Sequence, residues 1–136
     1  MKNIQLRVLV VDDIETNRKV LSRMVGILGY RFDTASNGED SVNMTESAAM
    51  NGDPFALVLM DVAMPGKYDG LQATERLRGS TVPGVRDITV VAVTAHMMDI
   101  VEDRARVCGI NRCLAKPVKK NELKEVLSSC ELTYCT

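Results

Sequence analysis

Hydrophobic residues recur along the chain in two alternating rhythms. Short apolar runs lie at residues 6–11, about 30–35, 55–60, 88–94 and 112–115. Between them, apolar residues return every three to four positions, the repeat of one helix face. Val20, Leu21, Met24, Val25 and Leu28 form the first such stripe, with Gly29 as its stop. Asn37-Gly38 opens a second, with Val42, Ala48 and Ala49 inward, which fades into Asn51-Gly-Asp-Pro54. Leu71, Thr74 and Leu77 mark a third; Met98, Val101, Ala105 and Cys108 mark a fourth, closed by Gly109. Leu123, Val126, Leu127 and Cys130 carry the fifth.

Strand and helix therefore alternate five times. The first, third and fourth runs are nearly continuous Val, Leu and Ile, as in strands of a parallel sheet covered on both faces. Right-handed strand–helix–strand crossovers then fold the chain into an α/β, doubly wound (βα)5 sandwich around a five-stranded parallel sheet. Ligands of such sheets bind beyond the carboxyl ends of the strands, where strand order reverses. The segment from Gly79 to Asp87 reads as a loop, not a linker, and residues 1–136 read as a single domain.

Charged residues gather at that carboxyl edge. Asp61 ends the run Phe55-Ala-Leu-Val-Leu-Met60, and Asp12 and Asp13 follow the first run in the same way. Desolvating an unpaired carboxylate costs several kcal/mol. If the two strands are neighbours, three carboxylates repel one another unless a cation sits between them. Thr94 ends the fourth strand, and Lys116 follows the fifth. That arrangement is poor for stability and suited to handling a phosphate with Mg2+.

Overall charge adds little direction. At −1 it implies no general attraction to nucleic acid or to an anionic membrane. No apolar run approaches the ~20 residues that span a bilayer, and the amino terminus lacks the apolar core of a signal peptide. The expectation is a soluble, cytoplasmic domain. Cys108, Cys113, Cys130 and Cys135 have spacings that imitate a zinc site. They fall on helix stripes and in a short strand, so they read as small hydrophobes in a reducing compartment.

Four motifs stand in order at the right strand ends: Val-Val-Asp12-Asp13, Met60-Asp61-Val-Ala-Met-Pro65, Val93-Thr94-Ala95 and Ala115-Lys116-Pro117-Val118. Together they closely resemble the receiver domain of two-component response regulators, over nearly the whole chain. The wording Thr94-Ala-His-Met-Met98 and Cys108-Gly-Ile-Asn111 is most similar to receivers of hybrid histidine kinases. The resemblance implies the flavodoxin-like strand order 2-1-3-4-5. It implies that Asp61 accepts a phosphoryl group from the phosphohistidine of a histidine kinase or histidine phosphotransfer protein. Asp13 and Asp61 would ligate Mg2+ directly, Asp12 through a water, and Ala63 through its backbone carbonyl. Lys116, before a cis proline, and Thr94 would hold the phosphoryl oxygens, while Ala95 leaves room for access. His96 either tunes hydrolysis from the rim or is simply an exposed residue at the start of the fourth helix. The domain is expected to be a monomer or weak dimer with no direct nucleic-acid or membrane partner. It is either a stand-alone regulator or the cytoplasmic part of a larger membrane-bound hybrid kinase.

Two departures from the family pattern stand out. Cys113 occupies the position where receivers usually carry Tyr or Phe, which puts the usual Thr–aromatic coupling in doubt. The loop Gly66-Lys-Tyr-Asp-Gly70 is one residue longer than the usual form. Single residues also have plainer readings. Asp13 could cap the first helix, Asp61 could stabilise the Met-Pro-Gly turn, and Lys116 could extend into solvent. Two other classes compete with a phospho-accepting switch. One is an aspartyl-phosphate hydrolase, disfavoured because Ala63 stands where that class has a second acid. The other is a degenerate receiver that docks partners without phosphorylation.

Overall fold

The computed structural model of the chain describes residues 6–95 and 99–135. Strands β1 (Arg7–Val11), β2 (Arg31–Ala35), β3 (Leu57–Asp61), β4 (Thr89–Thr94) and β5 (Arg112–Ala115) form one sheet. They alternate with helices α1 (Glu15–Ile27), α2 (Gly38–Met50), α3 (Gly70–Arg78), α4 (Asp99–Cys108) and α5 (Lys120–Cys135). All pairings are parallel, in the order β2-β1-β3-β4-β5. The doubly wound sandwich expected from the apolar rhythm and the resemblance is the fold observed.

Strand parity divides the core. Val8, Val10, Leu57, Leu59, Val91, Val93 and Leu114 meet Leu21 and Val25 of α1 and Leu123 and Leu127 of α5. Leu9, Val11, Val58, Met60, Val90 and Ala92 meet Ala48, Leu71, Leu77 and Ala105 of α2, α3 and α4. Between their polar end residues the central strands are therefore apolar at every position, and each fully buried aliphatic side chain contributes about 1.5–3 kcal/mol. Among the cysteines whose side chains are described, Cys108 and Cys113 pack at the rim of the second cluster, while Cys130 belongs to the first, across the sheet.

Some positions differ from expectation. Val20 is 63% exposed, whereas Leu21 and Val25 are buried. At about 100° per residue Val20 points well away from Val25, so the inward stripe of α1 is narrower than the run of apolar letters. The second apolar run is the edge strand β2, mostly exposed except at Ala35. On α2 the buried face includes Ser41 and Thr45. Their hydroxyls donate to the carbonyls of Gly38 (2.6 Å) and Ser41 (2.7 Å), so these polar groups enter the core already satisfied. Of the fourth stripe, Met98 lies outside the described residues.

Helix starts orient the loops above the sheet. Asn37 caps α2 by accepting from Asp40 N at 2.7 Å. Asp69 and Gln72 form a reciprocal capping box on α3, with bonds of 2.8 and 3.0 Å. Helix α1 has Ile14 as its N-cap and no side-chain cap, so capping is not the task of Asp13.

Candidate functional site

Register brings the acids together. Val11 pairs with Met60, Asp61 with Val93, and Thr94 with Ala115. Asp12 and Lys116 follow β1 and β5 directly, so all of these side chains start at one edge of the sheet. Oxygens of Asp12, Asp13 and Asp61 lie within 4.8 Å of one another. Lys116 Nζ sits 3.0 Å from Asp12 Oδ2 and 3.2 Å from Asp61 Oδ1. The other oxygen of Asp12 accepts from Ile14 N at 2.9 Å, which fixes the turn into α1.

Asp12 and Asp61 are buried and Asp13 is half-buried. Burial, and next the charge of Asp12, push the Asp61 carboxyl up to about 6, against the opposing pull of Lys116. Burial pulls the Lys116 ammonium down, but its hydrogen bond to Asp12 and the charges of Asp61 and Asp12 outweigh that and hold it above its ordinary value. Three carboxylates against one ammonium leave an excess of negative charge among oxygen-only donors. That donor set fits a hard divalent cation such as Mg2+, which takes carboxylates and retains waters.

The remaining expected site residues fall around this cluster. Thr94 is buried, and its carbonyl accepts from Lys116 N at 2.8 Å. The Lys116–Pro117 bond is cis. Ala63 and Ala95 are exposed, on the loops after β3 and β4. Cys113 is half-buried opposite Ala92, on the sheet face packed by α2, α3 and α4. His96 lies outside the described residues.

Two glycines that the sequence marked only as the start of a helix and the end of a loop shape the site. A Cβ on Gly70 would come within 2.1 Å of the Asp61 carbonyl and 2.9 Å of Val62 Cα. A Cβ on Gly38 would come within 2.6 Å of the Tyr68 carbonyl. Close backbone approach, not turn geometry, requires glycine at both. The available signal was Asp69-Gly70 ahead of a helical stripe, which marks a helix start but not what the helix abuts.

Residues 8–128 match the response regulator receiver domain family. The chain belongs to that family. This receiver domain is 38% identical over 128 residues to the sensor histidine kinase RcsC of Salmonella typhi, covering 93% of the chain and 12% of the kinase. It is 32% identical over 126 residues to the sensor protein EvgS of Escherichia coli K12, covering 91% of the chain and 10% of that protein. The chain thus spans only a small part of the length of these relatives. A receiver domain from a sensor histidine kinase of Pseudomonas aeruginosa PAO1 is 28% identical, with a TM-score of 0.80 over 93% of this chain and 97% of that one. That structure has a magnesium ion coordinated in its active-site cleft. The domain is accordingly a component of two-component signalling. Among the described residues, no helix is long and apolar enough to cross a membrane.

Proposed function

We propose that residues 1–136 form one phospho-accepting switch, in which Asp61 takes a phosphoryl group from a partner's phosphohistidine with the help of Mg2+. The observation that carries this reading is the cluster itself: three carboxylates within 4.8 Å and a lysine bonded to two of them, at the ligand-binding edge of the sheet. Asp13, Asp61 and the Ala63 carbonyl would hold the cation directly, and Asp12 through a water. When bound, Mg2+ neutralises charge on the acids and on the phosphoryl oxygens.

The chain's own residues supply the rest. An Asp61 carboxylate oxygen forms the new O–P bond as the N–P bond of the phosphohistidine breaks, and its electron pair returns to the imidazole. Lys116, already beside Asp61, pairs with the phosphoryl oxygens, and Thr94 contributes its hydroxyl from the end of β4. A loose transition state spreads charge over three oxygens, so positioning and charge neutralisation are the whole task. The product is a switched surface, and the domain catalyses only its own phosphorylation and dephosphorylation.

The partner would approach along α1. Ile14, Val20 and Ile27 are 51%, 63% and 65% exposed. A groove of about 330 Å3 runs from Asp12 and Lys116 past Val20 and Met24. An exposed apolar strip leading into an acidic site supports docking of a helical partner whose histidine then reaches Asp61. We place the domain in the cytoplasm, alone or within a hybrid kinase. Incubation with acetyl phosphate and Mg2+ is expected to give one acid- and base-labile phosphoryl group per chain. No incorporation, or full incorporation in Asp61→Asn, would overturn the assignment.

A further inference from the structure

Residues 62–69, between β3 and α3, run from the acid cluster to the N-cap of α3. The sheet fixes their near end: Val62 N donates to Val93 O (3.3 Å), and Gly70 N donates to Val62 O (3.0 Å). Met64 is buried in the core, and Gly66 takes a φ of 106°, a left-handed turn that suits glycine. The far end is held by Tyr68. Its carbonyl rests on Gly38, where a Cβ would come within 2.6 Å, so the loop sits against the first turn of α2. Its ring packs, half-buried, at the rim of the core shared by α2 and α3. Arg76 Cζ of α3 lies 5.1 Å from the ring centroid and Lys67 Nζ lies 5.5 Å from it. Lys67 also pairs with Glu39 of α2 at 3.3 Å.

These contacts are individually weak. A cation near an exposed ring contributes about 0.5–1 kcal/mol, and an exposed ion pair contributes less than about 1 kcal/mol. Spread over the whole fold they matter little. Confined to one short loop, they are comparable with the ~1–2 kcal/mol of entropy lost in fixing a single backbone residue. Their effect therefore falls on where the loop rests. Tyr68, Lys67 and Arg76 also line a groove of about 550 Å3 between α2 and α3.

We infer that Tyr68, Lys67 and Arg76 form a latch that positions the phospho-acceptor loop, and that through the Ala63 carbonyl the latch sets cation affinity and the rate of phosphoryl acceptance. This rests on the receiver-site reading above. None of the three side chains touches the reacting atoms; they are positioning residues that act through the backbone of residues 62–66. The loop thus places an aromatic ring where it reaches both α2 and α3.

The test uses Tyr68→Phe, which keeps the ring, Tyr68→Leu, which keeps apolar bulk in the core, and Arg76→Met, which keeps the aliphatic stem. Amide exchange of residues 62–67 is measured without cation, followed by Mg2+ titration and the rate of reaction with acetyl phosphate. Losing about 0.5–1 kcal/mol of latch corresponds to exchange roughly two- to fivefold faster in the Leu and Met variants, with Mg2+ half-saturation raised by a similar factor. The Phe variant is expected to match wild type in both, and all three to melt close to it. Unchanged exchange at 62–67 in the Leu and Met variants would overturn the latch, as would faster exchange with wild-type Mg2+ affinity and rate. A wild-type domain that binds Mg2+ but takes no phosphate would count against the phosphoryl reading instead. The exchange and Mg2+ comparison would still decide the latch.

Discussion

At the amino ends of the strands, the guanidinium of Arg78 donates to Gly109 O (3.1 and 2.7 Å), Arg86 O (2.8 Å), Ile88 O (2.7 Å) and Asn111 Oδ1 (3.0 Å). Asn111 Oδ1 accepts from Val90 N as well, at 2.8 Å. Nearby, Arg7 pairs with Asp33 and Asp53, and Arg31 with Asp53. At the carboxyl ends, one ammonium faces three carboxylates, two of them buried. The first end ties three segments together with hydrogen bonds from one guanidinium to backbone carbonyls. The second keeps like charges close and leaves part of their repulsion for a cation and a phosphoryl group to relieve. Local rules are obeyed where the molecule is held together and broken where it acts.

Breaking each end should have different consequences, and the largest belongs to Asp61. Asp61→Asn is expected to end phosphoryl acceptance while leaving the fold intact, read by phosphate incorporation beside far-UV circular dichroism. Gly70→Ala should come next. Its Cβ would stand 2.1 Å from the Asp61 carbonyl, so the end of β3 or the start of α3 must move. Overpacking of this kind costs about 1–3 kcal/mol, and a displacement near 1 Å at a reacting group costs on the order of 100-fold in rate. Urea denaturation and the acetyl phosphate rate together read both losses. A stable Gly70→Ala variant with wild-type rate would show that the close approach does not set the acceptor.

Arg78→Ala tests the opposite end. It strips donors from Gly109, Ile88 and Asn111, and should destabilise by about 2–4 kcal/mol. Mg2+ affinity should remain at the wild-type value, because no bond of Arg78 reaches the acids. A drop in Mg2+ affinity as large as the drop in stability would mean that the two ends are not independent.

How far these features were legible in the sequence follows from what each one depends on. Strands β1, β3 and β4 were readable because burial on both faces leaves no polar interruption. Asp12, Asp13 and Asp61 were readable because charge directly after such a run has no structural excuse, and Lys116 through its place before Pro117 after the short strand β5. Val20 was not, since adjacency to Leu21 says nothing about the direction in which a helical side chain points. Ser41 and Thr45 were not, because their hydroxyls are satisfied locally and so pass as core. Gly38 and Gly70 depend on what lies opposite, and the partners of Arg78 are mostly backbone carbonyls, which carry no letter of their own.

The smallest expected effect is a pH dependence that only the carboxyl end should show. Without a cation, the folded protein holds the Asp61 proton up to about 6, while the ordinary value is 3.8. Below the ordinary value both folded and unfolded chains are protonated, and the contribution to stability is fully present. As pH rises through the folded value, the native state must place a charge in a buried site beside Asp12, and the contribution is lost. At about 1.4 kcal/mol per pH unit the ceiling is near 3 kcal/mol, and solvent screening at the open edge of the sheet reduces it to about 1–2 kcal/mol. The exposed carboxyls of Glu15 and Asp53, lowered by hydrogen bonds from Lys19 and Arg31, slope the other way, and salt screens them. The difference between wild type and Asp61→Asn cancels those terms. Urea midpoints taken without cation from pH 4 to pH 7 should therefore show the Asn variant gaining on wild type across that window. Saturating Mg2+ should reverse the advantage, because it binds the wild-type carboxylate and stabilises the native state by mass action. Parallel curves for the two proteins without cation would show that the acid cluster is not under the repulsion that its geometry implies.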